Sequence, residues 1–455
     1  MTSPRDTDQG PSKSEIRTVV ASSIVGTTVE WYDFFLYGIA AGLVFDKLFF
    51  PSSDPIVGTL LAFATFAIGF MARPFGGLIF GHIGDRIGRK KTLVATMMIM
   101  GVATCLIGLV PTYATIGIAA PILLVVLRLA QGVAIGGEWG GAVLMAVEYA
   151  PRGKRGFYGS LPQIGLAIGL MLGTGVFAAL NSTLSEAAFL DWGWRIAFML
   201  SAILVAVGLF IRLKVMETPA FRKLETVEEK ATVPALELIK SPQSRRNMVL
   251  GMGSRWAEGV AFNTWAVFAI AYGTGTLHLS RQTLLLAVMA AAATMIVFIP
   301  VFGKVADRYD RRHVFAAGSV ILTAAAYPAF VLIGTGDTAV IVITIVLVLG
   351  VLYPIVYAPE SSLFAELFPT RVRYSGISVV YQLSGIVASG LTPLVLASLL
   401  GSASGGLSLI MGYIVAVGAV STLCTLAIRG RDIYTEDQDG SSYPDNAAMS
   451  QVSPT

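Results

Sequence analysis

Apolar residues form long, nearly uninterrupted stretches along almost the whole chain, and short polar segments separate them. A run of about 18 or more apolar residues is long enough to cross a bilayer as a helix. Twelve such runs predict membrane-spanning helices at 18–45, 56–80, 92–110, 116–147, 157–180, 192–213, 247–272, 282–303, 313–334, 338–360, 373–400 and 407–429. The pattern therefore predicts an all-α integral membrane protein with twelve transmembrane helices.

The composition supports a membrane protein and excludes several other classes. Of the 455 residues, 55% are hydrophobic and 13% are charged, whereas ordinary soluble chains have about 25% charged residues. The first apolar run has acids at its centre and no small-residue cleavage site, so it is not a cleaved signal peptide. The two cysteines lie in different predicted helices, which excludes a disulfide framework.

The same composition argues against enzymes and primary pumps. The three histidines have no metal-ligand spacing, and the sequence contains no nucleotide-binding motif. An integral-membrane enzyme would need a nucleophile–base pair or a metal constellation, and we find neither. We therefore expect no metal and no cofactor, and any transport would be driven by an ion gradient.

Basic residues are concentrated in the loops that follow even-numbered predicted helices, above all in the central loop 214–246. The only Lys or Arg residues in the loops after odd-numbered helices are Lys47 and Arg281. Because Lys and Arg are enriched in cytoplasmic loops, we predict a multi-pass protein of the cell membrane with both termini in the cytoplasm. The polar tails at 1–17 and 430–455 are predicted to be disordered. The positive charge is a topology signal and indicates no nucleic-acid partner.

Two motifs occur once in each half of the chain. The segment FGHIGDRIGRK at 80–90 matches FGKVADRYDRR at 302–312 when the numbering is shifted by 222. This match places three charged residues on their copies, namely Asp85 on Asp307, Arg86 on Arg308 and Arg89 on Arg311. A second match at a shift of 218 places Glu148 on Glu366 and Arg155 on Arg373.

The repeats divide the chain into two six-helix bundles, 18–213 and 247–429, which a cytoplasmic linker at 214–246 joins. Two halves related as parallel copies are typical of secondary transporters, whose binding sites lie where the halves meet. We therefore look for chemistry among the polar residues at the centre of the predicted helices.

Glu30 and Asp33 lie inside the first predicted helix, on one stripe with Gly26 and Tyr37. At ~1.5 Å per residue, the two carboxylates are roughly 18 and 22 Å along a helix that enters near Thr18. A charge at that depth is a functional-site hypothesis by default. Glu30 and Asp33 are our candidates for proton coupling; the alternative is a structural ion pair with a neighbouring helix.

Arg128 lies midway along the fourth predicted helix at a similar depth. Its guanidinium is permanently charged, so it can bind a substrate carboxylate or neutralise Asp33. Arg73 and Glu138 lie at similar depths and are predicted to form a gate or a structural pair, with substrate contact by Arg73 as the alternative. Gly132 and its neighbours at four-residue spacing predict close helix packing.

The second half offers further polar and aromatic candidates. Arg255 and Glu258 are spaced i, i+3, which predicts mutual neutralisation. Aromatic side chains near them, such as Trp256, can hold a quaternary ammonium by cation–π attraction. Pro354 and Pro359 are expected to break the tenth helix just before Glu360. Polar contacts to a substrate are expected from two more residues of this half, Tyr357 and Gln382.

The loop GHIGDRIGRK at 81–90, with its second copy at 303–312, resembles the signature loop of the major facilitator superfamily. Within that superfamily, EWYDFFLYG at 30–38, RLAQGVAIGGEWGGA at 128–142 and PESSLFAELFPTRVRYSG at 359–376 resemble the metabolite:proton symporter family. The resemblance implies proton-coupled uptake of a small carboxylate-bearing metabolite by a monomer in the bilayer. Organic acids such as shikimate or a dicarboxylate are expected first, and zwitterionic osmolytes such as proline or glycine betaine are the alternative.

The sequence argues against a drug exporter and against activation by osmotic stress. A drug exporter would show a glycine–proline pair in the fifth helix, which FYGSLPQIGLAIGLMLGTG at 157–175 lacks. The C-terminal tail has no heptad repeat, which argues against osmotic activation. The sequence does not distinguish H⁺ from Na⁺ as the coupling ion.

A gate is expected where the signature loop lies. Asp85 can cap a neighbouring helix and pair with Arg86 or Arg89, and the resemblance implies that this contact holds the cytoplasmic side closed. Asp307 and Arg308 are the corresponding candidates in the second copy. There Asp310 replaces the glycine seen at Gly88, so we expect that copy to be the weaker gate.

Overall fold

The computed structural model describes residues 13–51, 55–87, 89–136, 138–214, 238, 240–369, 372–401 and 406–434, leaving aside the side chains of 13–15, 55, 81–91, 93, 145 and 211–214. In these parts of the chain the backbone is helical apart from turns and short connections. The long helices, numbered in chain order, are α1 Lys13–Ala40, α2 Pro55–Ile87, α3 Arg89–Leu109, α4 Ala119–Glu148, α5 Arg155–Thr183, α6 Glu186–Phe210, α7 242–275, α8 Arg281–Arg308, α9 Arg311–Ile333, α10 Thr338–Glu366, α11 Arg373–Leu400 and α12 Gly406–Ala427.

Nine of these described helices are long and apolar enough to cross a membrane by length and composition alone. The other three predicted spans are helical as well. α3 contains a shorter apolar stretch, Val94–Leu109, while α1 and α7 carry buried charged side chains that lower their hydropathy. The twelve predicted spans therefore correspond to twelve described helices.

The helices pack as two groups of six. In the first group α1 packs on α5, and α4 packs between α2 and α3; in the second, α9 packs on α12 and α10 packs on α8. The groups meet along two seams, where α5 contacts α8 and α2 contacts α11. Between these seams, Phe35 of α1 stacks on Phe262 of α7 with ring centroids 5.2 Å apart.

Glycines allow α2 and α4 to approach closely, as the small-residue spacing predicts. A Cβ atom on Gly132 would overlap the carbonyl oxygen of Gly69, and one on Gly136 would overlap that of Arg73. The contact is reciprocal, because a Cβ on Gly76 of α2 would overlap the carbonyl oxygen of Val133. This backbone contact fixes the arginines of α2 and α4 relative to each other.

One expectation about the helices is wrong. Pro354 and Pro359 do not break α10, which is continuous from Thr338 to Glu366. A wide π-helical turn at Val346–Leu352 precedes Pro354, and such a turn accommodates a residue that lacks an N–H donor. The glutamate that follows, Glu360, is therefore held on a continuous helix and not on an unwound segment.

Candidate functional site

Asp33 lies at the centre of the first six-helix group and is fully buried. Its carboxylate accepts a hydrogen bond from the Thr104 hydroxyl of α3 at 2.9 Å and another from the Ser201 hydroxyl of α6. No described cation lies within ion-pair distance of Asp33. Two neutral donors from two different helices thus hold this carboxylate.

A chain of hydrogen bonds connects Asp33 to Arg128. The Arg128 guanidinium donates to the side-chain oxygen of Gln131 at 3.0 Å, and the Gln131 amide donates to the Thr104 hydroxyl at 2.7 Å. Thr104 then donates to Asp33. We call Arg128, Gln131, Thr104 and Asp33 the relay. The direct Arg128–Asp33 pair, one of the alternatives from the sequence, is replaced here by two neutral side chains.

Arg128 and Arg73 are buried against aromatic faces. The Arg128 guanidinium carbon lies 4.1 Å from the centroid of Tyr37 and 5.2 Å from that of Phe34. The Arg73 guanidinium carbon lies 4.8 Å from the same Phe34 ring and 4.1 Å from Phe70. Among the described residues, neither arginine has a carboxylate within ion-pair distance. The first six-helix group therefore presents two buried cations that no described acid neutralises directly.

Three further predicted residues of this half, Tyr37, Glu30 and Glu138, are buried. Tyr37 donates to the Thr65 hydroxyl at 2.7 Å, which fixes the ring beneath Arg128. Glu30 and Glu138 are almost fully buried, and Glu30 is an electrostatic neighbour of Arg73. The predicted Arg73–Glu138 pair is not among the ion pairs of the described residues, because the Arg73 guanidinium faces aromatic rings.

The second six-helix group contains one buried cation with two carboxylates. Arg255 of α7 lies 3.1 Å from Glu360 of α10 and 3.5 Å from Glu258 of its own helix. The predicted neutralisation of Arg255 by Glu258 is confirmed, and Glu360 is a second partner that the spacing did not predict. The Tyr353 hydroxyl donates to the other oxygen of Glu258. We call Arg255, Glu258, Glu360 and Tyr353 the Arg255 cluster.

Tyr381 of α11 joins the two halves of the molecule. Its ring stacks on Trp139 of α4 with centroids 3.5 Å apart, and the Arg255 guanidinium carbon lies 3.7 Å from its centroid. The neighbouring Gln382 donates to the Gly136 carbonyl of α4 at 3.1 Å. These contacts bring the predicted residue Gln382 to the interface between the halves.

Two predicted residues of the second half are placed differently from each other. Tyr357 is fully buried, stacks on Tyr353 and has no hydrogen-bond partner among the described residues for its hydroxyl. It lies close to Glu360 and Tyr381, and therefore beside the Arg255 cluster. Trp256 lies beside Tyr413 of α12.

A second contact between the two halves lies at the end of the molecule where α5 begins and α8 ends. Asp307 accepts hydrogen bonds from the backbone N–H groups of Gly156 at 2.6 Å and Phe157 at 2.8 Å. A carboxylate is stabilised at a helix N-terminus, so this contact ties the two halves together. Arg311 lies 3.3 Å from Asp307 and also pairs with Glu366. We call Asp307, Arg311 and Glu366, with the start of α5, the latch.

The latch differs from its prediction in one respect. Arg308 is exposed, and Arg311 makes the contacts expected of it. The Asp310 carboxylate caps α9 and binds Arg312, and the hydrogen bond from Arg312 lowers the pKa of Asp310. The first-copy residues Asp85, Arg86 and Arg89 have side chains outside the described part of the chain.

Sequence reasoning did not single out Gln131, Thr104, Ser201 or Trp139. Each is a polar or aromatic residue in an apolar helix, and such residues are common enough that only the three-dimensional arrangement identifies them. No group of three or more potential metal-ligating side chains occurs within the described residues. Across both halves, three central arginines face five central acids, namely Glu30, Asp33, Glu138, Glu258 and Glu360.

Comparison with known proteins agrees with this architecture. The model of the Major Facilitator Superfamily matches residues 23–393 and 256–442. The shikimate transporter of Escherichia coli K12 is 38% identical over 93% of this chain and 97% of its own length. The proline/betaine transporter of the same organism is 36% identical over 91% of this chain and 84% of its own.

A solved structure of the xylose transporter of Escherichia coli has the same fold, with a TM-score of 0.70 at 17% identity over 91% of this chain and 97% of that one. The all-helical fold, the family match across most of the chain and relatives aligned nearly end to end agree with one another. The chain belongs to the Major Facilitator Superfamily and is a membrane transporter, not an enzyme.

Proposed function

We propose that this protein is a proton-coupled symporter that takes up a small organic acid. The observation that carries the proposal is the pair Arg73 and Arg128, two buried guanidinium groups with no carboxylate at ion-pair distance among the described residues. Burying a cation is costly unless an anion compensates it. A substrate carboxylate entering between the halves would supply that compensation.

The contacts of the arginines favour an organic acid over a zwitterionic osmolyte. A quaternary ammonium needs a free aromatic face, but Arg73 covers Phe70, Arg128 covers Tyr37 and Arg255 covers Tyr381. These three aromatic rings already contact protein cations. The relatives include both a shikimate and a proline/betaine transporter, so both substrate classes belong in the test.

The environment of Asp33 supports a proton as the coupling ion. Both carboxylate oxygens accept hydrogen bonds from hydroxyl groups, and no described cation lies within ion-pair distance. A proton neutralises such a buried carboxylate without the set of oxygen ligands that a metal cation needs. Glu30, on the same face of α1, is the second candidate for this role.

The relay suggests how substrate and proton are coupled. A substrate carboxylate that binds Arg128 competes with Gln131 for the guanidinium, and the Gln131 amide in turn holds Thr104. A change at Arg128 thereby alters the hydrogen bonds that Thr104 offers to Asp33. Gln131 and Thr104 are positioning residues in this scheme, because they act through Asp33 and not on the substrate.

The wider assignment follows from the same family. We propose that Tyr357 and Gln382 contribute polar contacts to the substrate, that the latch closes the cytoplasmic side, and that both termini are cytoplasmic. The protein would function as a monomer, and its halves, 18–213 and 247–429, would rock about the site. The positive-inside distribution of Lys and Arg supports this orientation.

Uptake into proteoliposomes tests the substrate class. Purified protein is reconstituted, an inward proton gradient is imposed, and radiolabelled shikimate, 2-oxoglutarate, citrate, proline and glycine betaine are compared. We expect accumulation of at least one organic acid and its loss when an uncoupler collapses the gradient. Accumulation of proline or betaine alone would contradict the proposed substrate class.

A further inference from the structure

The Arg255 cluster contains two carboxyl groups and one guanidinium group, and all three are buried. Glu258 is 3% exposed, Glu360 is 0% exposed and Arg255 is 2% exposed. If all three were ionised, one guanidinium would face two carboxylates, and one negative charge would remain uncompensated. An uncompensated buried charge is strongly unfavourable.

The contacts leave both carboxylates incompletely satisfied. Glu360 uses one oxygen to accept from Arg255, and its other oxygen has no hydrogen-bond partner among the described residues. Glu258 accepts from the Tyr353 hydroxyl with one oxygen, while its other oxygen lies 3.5 Å from Arg255. Near them the buried Tyr357 hydroxyl also lacks a described hydrogen-bond partner. The site therefore has more carboxylate oxygens than described hydrogen-bond donors to satisfy them.

The other groups that face the pair do not remove the excess negative charge. Tyr353 and Tyr357 from α10 and Tyr381 from α11 are neutral hydroxyl-bearing rings. Arg73 on α2 of the other half is an electrostatic neighbour of Arg255 and Tyr381. Among the described residues, however, Arg73 forms no ion pair with Glu258 or Glu360, which pair with Arg255.

We propose that Glu258 and Glu360 share one bound proton around Arg255, forming a second proton-binding site in the C-terminal half. The proton forms an O–H bond to one carboxylate oxygen and leaves the other carboxylate to pair with Arg255. This site is separate from Asp33, to which the proposed function assigns the coupled proton. A cycle with both sites occupied would carry two protons.

Infrared difference spectroscopy of the purified full chain in lipid nanodiscs tests this site without substrate or transport. The comparison is made in a background with both D33N and E30Q, so that neither candidate coupling carboxylate contributes a signal. The parent should show the C=O band of a buried protonated carboxyl group at neutral pH. E258Q and E360Q should each remove this band, because either change leaves one carboxylate for one guanidinium.

The matched control is D432N. Asp432 is also buried, but it pairs with Arg246 outside the central region, so its substitution should leave the band unchanged. Persistence of the band in both glutamine variants would overturn the proposal. Loss of the band in only one of them would overturn the sharing of the proton.

A milder variant covers the case in which the glutamine variants do not fold. Y353F keeps both carboxylates and removes only the hydroxyl that donates to Glu258. Since that hydroxyl stabilises the ionised form, the band should shift in frequency and persist into more alkaline buffer. An unchanged band in Y353F would overturn the proposal, whatever the transport assays show about substrate.

Discussion

Arg73 and Arg128 are the residues on which the account of substrate binding depends. Each is almost fully buried, and each lies over aromatic rings. Such contacts stabilise a cation by about 0.5–2 kcal/mol each, which does not replace a counter-ion. A pair of cations held in this way is prepared for an anion.

Replacing Arg128 with lysine tests that role. Arg128→Lys keeps the charge but loses the planar fork that binds a carboxylate through two hydrogen bonds. A charged hydrogen bond contributes about 1.5–3 kcal/mol, so substrate affinity should fall roughly ten- to hundredfold. Equilibrium binding of the transported organic acid to purified protein measures the effect.

Arg195→Lys is the matched control for that measurement. Arg195 belongs to the same half but donates to the backbone carbonyls of Gly108 and Val110, so its replacement should leave substrate affinity unchanged. Equal losses in both variants would indicate a structural effect. The double variant Arg128→Ala with Asp33→Asn should not recover binding, whereas recovery would mean that Arg128 only neutralises Asp33.

The relay makes a separate prediction at Thr104. Thr104→Val removes the hydroxyl that donates to Asp33 and accepts from Gln131, at nearly constant volume. Because the ionised carboxylate loses a donor, proton release is harder, and the pH optimum of uptake should move to more alkaline values. Thr174→Val is the control, since among the described residues the Thr174 hydroxyl bonds to carbonyl groups of its own helix alone. An unchanged optimum in Thr104→Val would remove the relay from the coupling mechanism.

At the scale of helices, the contact between α2 and α4 positions both arginines. A Cβ on Gly76 would overlap the carbonyl oxygen of Val133, so Gly76→Ala must push the two backbones apart. Overpacking of this kind costs about 1–3 kcal/mol, and the thermal unfolding midpoint in detergent should fall. Gly412→Ala on α12 is the control, because its Cβ would meet nothing within 4 Å; a similar drop in both would contradict this reasoning.

The latch is the second feature of this scale. Asp307→Asn removes the negative charge that caps α5 and pairs with Arg311, so the halves should separate more often at that end. A cysteine introduced by Ser160→Cys, at a buried position of α5, reports the separation in a variant without Cys105 and Cys424. Its labelling by a soluble thiol reagent should increase in Asp307→Asn.

Asp310→Asn is the control for the latch. Asp310 caps its own helix and binds Arg312, so its replacement should leave the labelling of the introduced cysteine unchanged. A larger effect of Asp310→Asn than of Asp307→Asn would contradict the described latch. It would favour the expectation from sequence that Asp310 determines how strong this copy is.

Hydropathy, repeats and charge placement were sufficient to predict the helices, because each depends on residues close together in the chain. The Arg255–Glu258 contact is of this local kind. Glu360 and Ser201 were not predicted as partners, since their contacts join helices far apart in sequence. The continuity of α10 was missed for another reason: a π-helical turn gives no distinct pattern of residue types.

At the scale of the whole molecule, the two halves differ in how their buried arginines are paired with carboxylates. Among the described residues, Arg73 and Arg128 of the first half have no carboxylate at ion-pair distance, whereas Arg255 of the second half has two. Tyr381 connects the two, since it stacks on Trp139 and lies beneath Arg255. One aromatic ring thus contacts both halves at the level of the central arginines.

The most direct test of the central claim compares two modes of transport in the same proteoliposomes, with and without Asp33→Asn. Proton-driven accumulation of an organic acid requires proton binding and release, whereas counterflow exchange at equal pH does not. We expect Asp33→Asn to abolish accumulation and to retain measurable exchange. Normal accumulation in Asp33→Asn and in Glu30→Gln would contradict the claim that these carboxylates couple proton movement to transport.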